Sequence, residues 1–395
     1  MAPPLQHSQT AQRSGIPPTS ARKHRSHRPK ADHALTFKLD HSVGADQVKG
    51  RQPKLCDVTQ RHSDRYAVTH IHSSTQDPCA RQPGLCSVVC TTYNHAKYAR
   101  AAIESIVAQD YRPLEIIVID DGSTDDNVAV IEAALSESDV QSTLITQQNT
   151  ANIAGNVNRA LAAATGDFVL PTSLDDLLLP GCISSKMALL LEDQSLVMVG
   201  NSSMSEMDMS GKITRPEVRN PVFGHETASC HDLLEIEFAT AGSFFTQGTV
   251  LRADCVEAIG GYDEDIAGDD LILRTKLWKH LIANSCLRCV FLRDPGFVYR
   301  KHDENLHRNT LRQLRTLIDW HNRFFPERPL PAIVTRRARN YFSECLANRD
   351  DAALQQALDL GPFMADLYSA YRYSWGYYRR STKHALRRVF LPTRR

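Results

Sequence analysis

From Leu85 onward the chain alternates short apolar runs with longer helical patterns, and few folds accept that rhythm. LCSVVCTTY is followed by KYARAAIESIVAQD, then LEIIVIDDGS, NVAVIEAALSE, STLIT, IAGNVNRALAAATG and DFVLP. Strand-type runs separated by whole helices predict βαβ units, because parallel neighbours need a crossover that a tight turn cannot supply. LEIIVI is apolar at nearly every position, as a strand covered on both faces must be. The expected class is α/β, with a parallel sheet between two layers of helices.

Around that core the texture changes twice. Residues 1–82 carry 8 of the 16 histidines, with many Ser, Gln, Pro and Arg and no sustained apolar period. Such a segment buries too little surface to offset the entropy of ordering, so a disordered basic tail is expected. Its ARKHRSHRPK run suits a nucleic acid or an anionic membrane, although a solvated tail reads the same way. Residues 83–308 form the expected α/β domain, mixed in pattern after 182. Residues 309–395 read as a helical extension, with TLRQLRTLIDWHNRFF, IVTRRARNYFSECLAN and DAALQQALDL in succession.

The formal charge of +1 conceals a polarised chain. Residues 1–85 hold 13 Lys/Arg against 6 Asp, and residues 368–395 hold 8 Lys/Arg and no acid, so the body between them is acidic. The last segment, YRYSWGYYRRSTKHALRRVF, interleaves aromatic rings with cations. That suits a headgroup interface of anionic lipid, or packing against the acidic body. No run reaches the roughly 18 apolar residues of a membrane span. MAPPLQHSQT has no apolar h-region, so no secretory signal is expected. Ten cysteines without tight, regular spacing do not make a disulfide scaffold, and a reduced, cytoplasmic setting is expected.

Polar clusters fall where strands end, which is where an open α/β sheet binds ligands. The first strand ends in Thr91, Thr92, Tyr93 and Asn94, the second in Asp120, Asp121, Gly122 and Ser123. A later one runs into Ser173, Asp175 and Asp176. An aromatic ring, several hydroxyls and four carboxylates suit a nucleotide: the ring stacks on a base, a carboxylate accepts a base N–H, and paired carboxylates hold a divalent cation. DDGS read alone is a helix cap. Asp269 and Asp270 fall at the start of a helix, as a solvated cap or as a base for a hydroxyl proton. VYRKHDENLHRN places Tyr299, Arg300 and His302 near another strand end.

The order of these motifs resembles the inverting family-two glycosyltransferases of the GT-A fold, over about residues 85–308. The resemblance rests on LCSVVCTTYNHAKY, LEIIVIDDGSTDD, NRALAAATGDFVLPTSLDDLLLP, IGGYDEDIAGDD and YRKHDENLHRN. It implies a Rossmann-like nucleotide-binding sheet flanked by helices. It also implies a nucleotide-sugar donor, of UDP type, and a divalent cation, Mn2+ or Mg2+. Thr91 and Tyr93 match positions that touch the uridine, and Asp120 the carboxylate that reads uracil. Asn94, Asp121 and Ser123 belong to the same nucleotide-sugar set, Asn158 is the recurrent asparagine of the third helix, and Arg300 lies over the diphosphate. Asp175, with Asp176 beside it, stands at the metal position, and His302 is implied as a further ligand. Asp270 corresponds to the catalytic base and Asp269 to the acid before it.

The chain departs from the family pattern in three places. Ser173 replaces an earlier aspartate of the metal motif, and Val157 an arginine before the asparagine. DDLILR also aligns in a second register that puts Asp270 two residues past the base position. The acceptor implied is a glycan or a lipid-linked glycan of cell-surface polysaccharide or glycolipid synthesis, with no nucleic acid.

Two other readings stay open. One is a GT-A-like protein that binds without catalysing. The other is a zinc-dependent nucleic-acid binder using Cys286, Cys289, His302 and His307, whose spacing fits a Cys-Cys-His-His finger. Pro295 and Gly296 break the helix such a finger needs. A dinucleotide-dependent oxidoreductase has no GxGxxG, and GKI at 211–213 is no P-loop.

Overall fold

The computed structural model describes residues 34–36, 66–71, 81–220, 229–266, 270–302 and 309–373. Its strands, in chain order, are β1 (Ala34–Thr36), β2 (Tyr66–Ile71), β3 (Gln82–Thr92), β4 (Leu114–Asp120), β5 (Gln141–Gln147), β6 (Gly166–Ser173) and β7 (Leu177–Leu178). They continue with β8 (Leu196–Asn201), β9 (Ser203–Met207), β10 (Ile213–Arg219), β11 (Val250–Arg252), β12 (Arg288–Leu292) and β13 (Phe297–Arg300). Helices α1 (Ala96–Val107), α2 (Asn127–Ser136), α3 (Ile153–Ala163) and α4 (Cys182–Glu192) belong to the first half. Helices α5 (Cys230–Thr240), α6 (Ala253–Ala258) and α7 (Asp270–Ala283) follow.

Nine strands form one sheet in the order β1-β12-β8-β11-β6-β3-β4-β5-β2, and four form a second, β10-β9-β13-β7. β6, β3, β4 and β5 are parallel neighbours, and in chain order a helix joins β3 to β4, β4 to β5 and β5 to β6. The sheet is mixed rather than wholly parallel. β11 lies antiparallel between β6 and β8, because the chain reaches it through β9, β10 and α5 instead of one crossover helix.

Alternation along the strands divides the interior. Val89, Ile117, Ile119 and Ile145 face one way, with α3, α5, α6 and α7, and bury with Trp278 and Phe291. Val88, Cys90, Ile116, Val118 and Leu144 face the other way, against α1, α2 and α4. Each fully buried aliphatic side chain contributes about 1.5–3 kcal/mol, so a one-residue slip of a strand would be expensive on both faces.

The expected disordered tail is corrected at two points. Tyr66–Ile71 pairs antiparallel with β5, and Ala34–Thr36 with β12. YAVTHI is rich in residues that suit a pleated surface, and the edge strands offer unpaired backbone groups that an added strand satisfies. The rest of residues 1–80 lies outside the described residues.

The expected helical extension is present as α8 (Thr310–Phe324), α9 (Ala332–Asn348), α10 (Asp351–Leu358) and α11 (Pro362–Arg372). Its core, around Leu314, Trp320, Phe342 and Met364, is continuous with Leu271 and Ile272 of α7. Trp320 Nε1 donates to Thr275 Oγ1 at 2.8 Å, tying the extension to α7 by a buried hydrogen bond. The basic-aromatic end from Ser374 lies outside the described residues.

Candidate active site

The carboxyl ends of β3, β4 and β6 lie side by side, since Thr91 is in register with Ser173 and Thr92 with Asp120. Beyond β6 come Asp175 and Asp176, both buried. The two carboxyls have different surroundings. Asp175 Oδ2 lies 2.9 Å from His302 Nε2, at the end of β13, while its Oδ1 is buried with no hydrogen-bond partner among the described residues. His95, directly ahead of α1, brings a second imidazole, with its ring centroid 5.9 Å from that of His302. One ligand atom from each of His95, Asp175 and His302 falls within 4.8 Å of the others. Burial alone would raise the Asp175 carboxyl. The hydrogen bond with His302, helped by His95 and Ser173, outweighs it and holds the group below the usual carboxylate range.

Asp176, expected to bind metal beside Asp175, has one carboxylate oxygen engaged by the backbone. Its Oδ1 accepts the Arg300 backbone N–H at 2.9 Å, and it is not part of the cluster. Burial, reinforced by the charge of Asp175, pushes its carboxyl well above the ordinary range. The buried guanidinium of Arg300, expected to lie over a diphosphate, donates from Nε to the Asp175 carbonyl at 2.9 Å and stacks over the Tyr98 ring at 4.7 Å. Tyr98 in turn lies against His302, 5.3 Å between centroids.

The DDGS turn is both cap and frame. Asp120 is 1% exposed, and three donors meet its carboxylate: Ser123 N–H at 2.8 Å, Ser123 Oγ at 2.6 Å and Asn127 Nδ2 at 2.7 Å. These bonds make Asp120 the hub of the turn. Asp121 accepts Gln147 Nε2 at 2.6 Å, Thr150 N–H and Oγ1 at 2.9 Å, and Ala151 N–H at 3.1 Å, pinning the loop before α3. Gly122 is obligatory here: its φ is +74°, and a Cβ would stand 2.5 Å from Asn149 N. Asn94, itself at φ 55°, donates its N–H to Ser123 Oγ and accepts Thr124 N–H, both at 2.8 Å. Those bonds hold the loop that leaves the Tyr93 ring 43% exposed beside Thr91.

Asn158 does not join the strand-end cluster. Its Nδ2 donates to the Tyr262 carbonyl at 2.8 Å and to Glu264 Oε1 at 2.9 Å, and its Oδ1 accepts Tyr262 N–H at 2.9 Å. It is a clamp on the GGYDE turn that leads to α7. Asp270 opens α7 with its Oδ2 3.7 Å from Arg274. Arg274 is itself locked on the buried Glu237 of α5, Nε to Oε2 at 3.0 Å and Nη2 to Oε1 at 3.1 Å. The charge of Asp270 is felt at both Asp176 and Tyr299. Asp269 lies outside the described residues.

The finger reading fails on placement. Cys289 is buried in β12, Cys286 is exposed in the turn before it, and His302 is committed to Asp175. His307 lies outside the described residues. His95 is the site residue that sequence reasoning missed. Its signal was available, since it follows Asn94 at the same strand end that yielded Thr91 and Tyr93.

Residues 87–248 match Glycosyl transferase family 2, so the chain carries a domain of that family, with its mixed α/β sheet flanked by helices. A similar relative is the GalNAc(5)-diNAcBac-PP-undecaprenol beta-1,3-glucosyltransferase of Campylobacter jejuni, 30% identical over 193 residues, 49% of this chain and 59% of that one. The alignments span 53% and 59% of the length of two curated relatives, and less than half of others such as a glycosyltransferase of Streptococcus pneumoniae, 38%. Two solved structures are also similar. The mannosyltransferase PcManGT of Pyrobaculum calidifontis, in complex with GDP-Man and Mn2+, is 20% identical with a TM-score of 0.45. The alignment covers 79% of this chain and 87% of that one. TarS 1-349 of S. aureus, in complex with UDP-GlcNAc, is 19% identical with a TM-score of 0.47, covering 71% and 83%. No helix among the described residues is long and apolar enough to cross a membrane.

Proposed function

We propose that the chain is an inverting glycosyltransferase that moves a sugar from a UDP-type nucleotide-sugar to an acceptor hydroxyl, in the assembly of a cell-surface polysaccharide or glycolipid. The observation that carries this reading is the His95–Asp175–His302 cluster, with Asp175 and His302 buried, at the strand ends of a family 2 domain. The name of the Campylobacter relative supports a lipid-linked acceptor.

Thr91 and the exposed Tyr93 ring receive the base, held there by the Asn94–Ser123–Asp120 turn. The cluster fits a divalent cation: two imidazoles and one carboxylate converge, and a buried carboxylate oxygen awaits a partner. When bound, such an ion supplies positive charge to the departing diphosphate. Asp270 removes the acceptor proton as the hydroxyl oxygen bonds to the anomeric carbon and the bond to the nucleoside diphosphate breaks. Arg274 stands 3.7 Å from the Asp270 carboxylate. General-base help of this kind is worth typically ~100- to 10,000-fold.

The test is to incubate the purified chain with UDP-, GDP-, CDP- and dTDP-sugars and lipid-linked acceptors, following nucleotide release by mass spectrometry and product anomer by NMR. Release from one nucleotide class, with inverted configuration, is the expected result. No release from any donor, or retained configuration, would overturn the proposal.

A further inference from the structure

We infer that Arg215 and Lys301, gathered on the buried carboxylate of Glu206, form a phosphate-binding subsite beside the candidate base, and that the acceptor therefore carries a phosphate or diphosphate group. This rests on the glycosyltransferase reading and names the acceptor class that its site selects.

The second sheet brings these residues together by register. Arg215 of β10 and Tyr299 of β13 both stand opposite Glu206 of β9, and partners in register share a face of the sheet. Lys301, two residues beyond Tyr299, falls on that face as well. Glu206 is 4% exposed, and both cations reach the same oxygen of it, Oε2. Lys301 Nζ lies at 2.7 Å and Arg215 Nη1 at 3.4 Å, while both cationic side chains stay more than half exposed.

One carboxylate neutralises only one of the two. Among the described residues neither cation has a second carboxylate partner, so a positive charge is left over, and two cations drawn to one oxygen repel each other until an anion joins them. Each head group has several donors and spends one on Glu206. Phosphate oxygens accept such charged donors strongly. Tyr299 adds a hydroxyl that stays a donor, because burial and the carboxylates of Asp176, Asp175, Glu206 and Asp270 push its pKa up. The row therefore lies within the field of Asp270, the group that would meet the acceptor hydroxyl. The hairpin carrying Arg215 is seated on the same site: the Met207 carbonyl accepts Lys301 N–H at 2.9 Å, and the Asp208 carbonyl accepts Arg300 Nη1 at 3.5 Å. The nucleotide's base goes to Thr91 and Tyr93 at the end of β3, on the other sheet. An anion beside Asp270 is thus assigned to the acceptor.

The experiment uses the full-length chain, with geranylgeranyl diphosphate in detergent micelles as the probe and geranylgeraniol as its neutral control. Binding is read by calorimetry, and UDP, GDP, CDP and dTDP are titrated separately with Mn2+. Arg215→Gln and Lys301→Gln each leave Glu206 one cation, and melting checks the fold of each variant. The parent is expected to bind the diphosphate and not the alcohol, and to keep it when a nucleoside diphosphate that binds is added to saturation. Each variant should lose about tenfold in affinity for the probe, with affinity for the nucleoside diphosphate unchanged. Equal binding of the alcohol, no binding of the probe, or an unchanged affinity in both variants would overturn the inference and leave the transferase reading standing. Displacement of the probe by the nucleoside diphosphate, with the variants weakened toward both, would do the same by giving the two cations to the donor. A parent chain that binds neither the probe nor any of the four nucleotides would overturn both.

Discussion

Asp176 holds a buried carboxyl against a second carboxylate, and that arrangement works against the folded state at neutral pH. Its folded pKa is raised by burial and then by Asp175, while the unfolded value is near ~3.9. Below the unfolded value both states are protonated and nothing is lost. As pH rises through it, the unfolded chain sheds the proton and gains relative to the folded one. Asp176→Asn keeps an acceptor for the Arg300 N–H and removes that penalty. It should melt higher than the parent at pH 7 in EDTA, with the gain gone near pH 3. An unchanged or lower Tm at pH 7 would contradict the raised pKa. The juxtaposition of Asp175 and His302, 2.9 Å apart, was legible because both stand at strand ends in motifs of the sequence. The bonds of Asp176 to a backbone N–H and of Arg300 to a backbone carbonyl were not legible, because motif position does not say which way a side chain turns.

At the scale of elements, α7 is fixed from three sides. Glu237 holds Arg274 in a nearly dry ion pair, Trp320 bonds Thr275, and Asn158 clamps the turn ahead of Asp270. Removing one partner of a buried pair leaves the other charge uncompensated, at about 3–5 kcal/mol. Glu237→Gln should lower stability by roughly that amount in urea unfolding, and a loss under about 1 kcal/mol would show that Arg274 finds another partner. Asn158→Ala separates a clamp from a ligand. Turnover should fall while nucleotide affinity holds, as read by kcat and by titration with the nucleoside diphosphate, whereas a matching loss of affinity would restore Asn158 to the donor site. The strands and helices around the core were readable because period and length agreed in each. The antiparallel β11 was not, since direction depends on the path by which a three-residue strand is reached. Nor were β1 and β2, whose order comes from the edges they pair with rather than from their own residues.

For the whole molecule, two basic ends flank an acidic body, and the helical extension is packed into the domain through the core it shares with α7. Tyr371 is buried in that core, so a truncation meant to test the basic-aromatic end must keep α11 whole. A chain ending at Tyr373 should fold with the parent's Tm and lose sedimentation with anionic vesicles. Undiminished sedimentation would assign membrane contact to another part of the chain.

The central claim is that the strand-end cluster forms a metal-dependent nucleotide-sugar site. It is tested most directly by thermal unfolding with UDP, GDP, CDP or dTDP, with and without Mn2+, in the parent chain and in Asp175→Asn. A ligand at about 100 times its Kd adds about 2.7 kcal/mol, a rise of several degrees for a domain of this size. One nucleoside diphosphate should raise the Tm only when Mn2+ is present, and Asp175→Asn should erase the rise. No rise with any of the four, or an equal rise in Asp175→Asn, would contradict the account.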